Sequence, residues 1–186
     1  MKRAAILGLT IGLLPPCLHA QMGTPFGAGA PVIATSVIRP GIPESDGELT
    51  AAVQARVSRG DKLTGVQRFA EAQREYRRAA EIARQQGHLP SFTLWHLAGA
   101  YYYQGDPRRA ADVMQQLASE AAEWGDLSVE ALALFNAAWL NGQGGRGQVA
   151  ATQLVALTKL MRSPYMPSDV RDHLTGKLTF PGTTEH

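Results

Sequence analysis

Between Leu94 and Leu117 the chain spells out two helices and the turn that joins them. Leu94, Leu97, Ala98 and Tyr101 recur at i, i+3, i+4 and i+7, the spacing that gathers side chains on one face of an α-helix. Gly105 follows as a helix stop, Asp106 as an N-cap and Pro107 at a first helical position, where its missing N–H costs nothing. Ala110, Val113, Met114 and Leu117 then mark the apolar face of a returning helix. A single hairpin cannot bury such a face, so this stretch calls for neighbours of its own kind.

Those neighbours are present, for everything from Leu49 onward is helical in character. Gly87-His88-Leu89-Pro90 ends one helix, and Ser91 stands where the next would take its N-cap. Gly125-Asp126 ends another and starts its successor. Asn141 through Gly147 forms a glycine-rich break, and Ser163-Pro164 closes the last long helix. Helices of about 12–18 residues joined by short turns fit an antiparallel array. Beyond Pro167, Val170, Leu174 and Leu178 recur every four residues, as expected of a helix that covers the end of the array.

Overlaying the hairpins exposes a repeat. The template Tyr101, Gly105, Ala110, Met114 and Leu117 is matched earlier by Leu63, Gln67, Ala72, Tyr76 and Ala79, and later by Ala138, Gly142, Gly147, Ala151 and Leu154. The order of large, small, aromatic, Gly and Ala in the middle copy, and the run Arg68 to Ala79 in the first, resemble a tetratricopeptide repeat. The resemblance covers roughly residues 53–161. It implies an all-α fold: a short right-handed α-solenoid of about three hairpins plus a C-terminal capping helix. The domain plan is then a signal peptide at 1–20, a Gly/Pro-rich flexible arm at 21–48, the repeat domain at 49–162 and the capping helix with its tail at 163–186. Within the arm, Pro31 to Ile38 is β-prone, but an isolated strand is not stable in water.

Charge bears on compartment more than on chemistry. Lys2 and Arg3 precede an apolar run from Ala4 to Leu14, and small Ala20 comes before Gln21, which together describe a secretory signal. The run falls short of the roughly 20 residues a membrane span needs. Export to the periplasm or the medium is expected. Pro15 and Pro16 stand where a lipoprotein signal has small residues, which argues against a lipid anchor on Cys17. Cleavage after Ala20 removes the sole cysteine, leaving neither disulfide nor thiolate. The 18 Lys and Arg against 16 Asp and Glu become balanced once Lys2 and Arg3 are gone, so no nucleic-acid footprint remains. Glu71 and Glu75 beside Arg74, Arg78 and Arg84 read as pairs on a solvated helix face.

No constellation of catalytic residues accompanies this scaffold. His88, His96 and His173 lack metal-ligand spacing, and His96 falls off the packed stripe, as a surface histidine would. Gly142 to Gly147 matches G-x-G-x-x-G by letter, yet follows a helix and not a strand. Arg59-Gly60-Asp61 lies inside a helical pattern. Neither an enzyme nor a cofactor is expected. A second stripe lies about 130° from the packed one and carries Phe92, Trp95, Tyr102 and Tyr103. Its counterpart in the third copy carries Leu132, Asn136 and Trp139. The resemblance implies that these line a concave groove for a peptide or protein segment, with Asn136 as a polar contact. Ordinary core packing and self-association account for the same spacing. The alternative function is a structural subunit of an envelope assembly that uses the arm.

Overall fold

The computed structural model describes residues 42–178; the expected signal peptide, most of the expected arm and the last eight residues (179–186) lie outside the described residues. Within that range the chain is all-α. Seven helices follow one another: α1 (Ala51–Gly65), α2 (Phe69–Gln85), α3 (Ser91–Tyr103), α4 (Pro107–Trp124), α5 (Leu127–Gln143), α6 (Gly147–Met161) and α7 (Ser168–Leu178). Among the described residues there is no strand, and no helix is long and apolar enough to cross a membrane. Each of the first five helices packs on its successor, α7 packs on α5, and α1 also touches α3.

The Gly105 turn forms as its residues dictate. Asp106 accepts a hydrogen bond from the Arg109 amide (3.0 Å), and Pro107 occupies the first turn of α4. The same closure recurs at five helix ends. The residue in the left-handed conformation donates its N–H three residues back, and the next residue donates five back, as Gly105 to Tyr102 and Asp106 to Tyr101. Glycine holds that left-handed position at 87, 105, 125 and 145, whereas at 67 it is held by Gln67 at φ 60°, alone among the described non-glycine residues. The turn after α5 is centred on Gly145, three residues later than the spacing of Gly142 predicts. The cause is tertiary. Arg108 donates to the Gly144 carbonyl (2.8 Å), and Arg146 reaches the Arg108 carbonyl (2.6 Å) and Asp112 (2.8 Å).

Two kinds of helix build the core. α2 and α4 carry an apolar stripe opposite a polar face, whereas α3 and α5 are apolar around their circumference. A helix of the second kind has to be enclosed, and Thr93 through Tyr101 are buried without interruption. Alanine dominates the contacts (Ala72, Ala79, Ala98, Ala110, Ala121 and Ala133 are all fully buried), so the helices approach closely. Leu94, Met114, Leu117 and Leu140 fill the spaces between them. Truncating one of these to Ala removes roughly 2–5 kcal/mol. On α7, Leu174 is fully buried, and Val170 and Leu178 rest against the same core.

Three sequence expectations are corrected here. Ser91 does not cap α3: it is the first helical residue, Pro90 precedes it, and the cap comes from Glu48. His96 is no surface histidine, being 1% exposed in the interior. The charged face of α2 is only partly solvated. Glu75 is buried and pairs with Arg56 of α1 (2.8 Å), while Arg84 reaches Glu120 of α4 (2.8 Å). Local pairs do form between Arg68 and Glu71 (2.6 Å) and, more loosely, Arg78 and Glu75 (3.7 Å).

Candidate functional site

Helices α3 and α5 carry the residues that the sequence singles out, and the structure sorts them by depth. Trp95 (4% exposed), Leu132 (6%) and Asn136 (fully buried) lie inside. Phe92, Tyr102, Tyr103 and Trp139 are half-buried. Tyr102 brings the two helices together, its ring 5.4 Å from Trp139 and 6.1 Å from Tyr103. Such separations suit tilted and edge-on aromatic contact. These three rings form one continuous patch at the C-terminal end of α3. Phe92 and Trp95, two turns back, form a separate group 6.2 Å apart. Asn136 donates from its side chain to the Leu132 carbonyl (2.8 Å), one turn back along α5.

Beside Trp95 lies a polar cluster that the sequence did not announce. His96 Nδ1 stands 3.0 Å from Asp61 Oδ1, and the same oxygen accepts the Tyr76 hydroxyl at 2.8 Å. Thr64 closes the cluster, its hydroxyl 3.2 Å from that of Tyr76. Phe92 packs on the His96 ring at 4.3 Å and Trp95 meets it edge-on at 5.6 Å. Burial pushes the Tyr76 phenol far above the ordinary tyrosine range. Trp95 Nε1 and His96 Nε2 are buried with no hydrogen-bond partner among the described residues. One signal was available in sequence: Gly60, next to Asp61. A methyl group at Gly60 would stand 2.4 Å from the Tyr76 ring, so the glycine admits Tyr76. The Arg59-Gly60-Asp61 triplet is thus part of α1 packing.

A second buried polar group fixes the near end of α3. Glu48 is fully buried, and its carboxylate accepts from the Phe92 amide (2.9 Å), the Thr93 amide (2.8 Å) and hydroxyl (2.8 Å) and the Ser91 hydroxyl (3.0 Å). Ser45 donates to the Leu89 carbonyl, and the Ser91 hydroxyl shares its single proton between Glu48 and the Pro43 carbonyl (2.8 Å). Ile42 is buried as well, so residues 42–48 are fastened to the start of α3. Tyr101, on the packed face of the same helix, takes a hydrogen bond from Arg77. The Arg77 and Arg109 guanidinium groups lie 5.7 and 5.9 Å from its ring centre.

No family model, curated protein or solved structure matches this chain. The functional reading therefore rests on the molecule itself.

Proposed function

We propose that this chain is an exported, tetratricopeptide-like interaction module that holds a peptide or protein segment against the aromatic patch of α3 and α5. The observation that carries the reading is the contact of Tyr102 with Trp139. It joins two successive apolar helices through rings that remain half open to solvent. Rigid aromatic rings supply large contact area at little entropic cost, which is why they dominate binding surfaces. Trp95, Leu132 and Asn136 are buried in the same two helices, apart from the open rings.

Side-chain ties between alternate helices support a stack of three hairpins. Arg84 to Glu120 links α2 to α4, Arg146 to Asp112 and Gln153 to Gln115 bring the α6 region to α4, and Tyr102 to Trp139 links α3 to α5. A right-handed solenoid has this neighbour pattern, with first helices on one side and second helices on the other. Under this reading α7 is the capping helix, and the leader sends the protein to the periplasm or beyond.

The test is capture from an envelope extract by the exported chain, beside a Tyr102→Ala/Trp139→Ala variant whose helicity is checked by circular dichroism. A protein retained by the parent and lost by the folded variant supports the patch. Equal capture by both sinks it.

A further inference from the structure

The connections before α3, α5 and α7 gather at one edge of the array, around an open cleft of about 690 Å³ that residues 43–46 complete. Trp124 and Tyr165 line this cleft with 56% and 83% of their surface exposed. Among the described residues, no other Phe, Tyr or Trp is exposed. Large exposed rings gathered in one concave place mark a contact site more often than chance exposure does.

The charge of the cleft is one-sided. Glu44, Asp46 and Asp126 line it beside His88, and among the described residues no Lys or Arg does. Helix starts ordinarily lend positive potential, but here that potential is already answered. Asp126 accepts the Val129 amide (2.9 Å) at the start of α5, and Glu48 does the same service for α3. Glu44 and Asp46 are exposed and form no ion pair among the described residues, so they set the sign of the cleft.

We propose that this cleft binds the cationic side chains of an Arg- or Lys-bearing protein segment. A guanidinium stacks on the open faces of Trp124 and Tyr165 and turns its edge to Glu44 or Asp46. Ring quadrupole and carboxylate then attract the same group. An anionic occupant would meet three carboxylates, and a purely apolar one would leave Glu44 and Asp46 desolvated without a charged partner. The site shares no residue with the α3–α5 patch, so either can fail alone.

The experiment measures fluorescence anisotropy of labelled hexa-arginine, hexa-glutamate and a Gly/Ser peptide on the full exported chain. Hexa-arginine is expected to bind and the other two to stay free. Raising salt from about 50 to about 500 mM should weaken it several-fold, since exposed charges are screened. Trp124→Ala should cost on the order of five- to tenfold in affinity. Asp46→Asn should cost about two- to fivefold. Asp112→Asn removes the same charge at the other end of α4, so its effect should be smaller than about twofold. All three positions are exposed, so the variants should keep their fold, and circular dichroism confirms it. The proposal is overturned if hexa-arginine stays free, if Trp124→Ala binds as tightly as the parent, or if the Gly/Ser peptide binds equally well. Loss confined to Tyr102→Ala/Trp139→Ala would assign the peptide to the aromatic patch and also overturn it.

Discussion

Replacing Glu48 with alanine should destabilise the protein more than any exposed substitution, although Glu48 lies outside every helix. Its two oxygens take the Phe92 and Thr93 amides at 2.9 and 2.8 Å, which are among the donors that α3 leaves unpaired at its start. Pro90 offers no side-chain cap in its place. A hydrogen bond to a charged acceptor contributes roughly 1.5–3 kcal/mol, and a buried donor left without a partner costs about 1–3 kcal/mol. Two amides lose such a bond at once. Water entering the space left by the side chain recovers part of the loss, and the Ser91 hydroxyl keeps the Pro43 carbonyl. The net expectation is about 3–4 kcal/mol. With a urea slope near 2 kcal/mol per molar, the unfolding midpoint falls by roughly 1.5–2 M. Glu48→Gln keeps the shape and one acceptor but turns an amide donor toward another donor, so it should lose about 2 kcal/mol. An alanine variant within about 1 kcal/mol of the parent would refute the reasoning, because the α3 amides would then have to be satisfied without the carboxylate.

Three further substitutions probe other parts of the packing. Gly60→Ala places a methyl group 2.4 Å from the ring of fully buried Tyr76 and should cost about 2–3 kcal/mol in urea unfolding; a neutral result would mean that α1 slides freely over α2. Gln67→Gly relieves a left-handed residue at the turn where the other hairpins use glycine. It should stabilise by about 0.5–1 kcal/mol after the added chain entropy is counted, read as a higher melting temperature. The Arg56 guanidinium, hydrogen-bonded to Glu75, holds that carboxyl below its ordinary value. Stability from this pair is full above about pH 5 and is lost as pH falls through the depressed value. Arg56→Gln should therefore lower neutral stability and flatten the acid limb of a stability-against-pH curve. An unchanged acid limb would count against the pair.

What the sequence made legible is what neighbouring residues decide together. The hairpin of α3 and α4 could be read because periodic apolar residues, Gly105, Asp106 and Pro107 lie within a few positions of one another. The turn after α5 could be placed only to within a glycine-rich stretch. Asn141, Gly142, Gly144, Gly145 and Gly147 all permit a helix end there, and Arg108 of α4 selects which one is used through the Gly144 carbonyl. Arg56 of α1 pairs with a residue far away in the chain. Its partner Glu75 is 19 residues away, on a face that spacing alone assigned to solvent.

The buried polar groups were illegible for the same reason, and they are what the alanine-rich helix contacts lack. Flat, small-residue interfaces between successive helices fix distance but give little direction, since one alanine face fits another at several offsets. The polar ties discriminate among those offsets. Glu48 meets the first turn of α3 and no other; Asp61 reaches His96 and Tyr76 with one oxygen; Asn141, Gln153 and Gln115 form a chain of amides joining α5, α6 and α4 at 2.9 and 2.7 Å. Sliding a helix by one turn would bury each of these groups without its partner, at several kcal/mol apiece by the cost of unpaired burial. The depth of the expected groove follows from the same register. Where α1, α3 and α5 are locked by Glu48, Asp61 and Asn141, Trp95 and Leu132 are drawn inside, and Tyr102, Tyr103 and Trp139 are left half-buried.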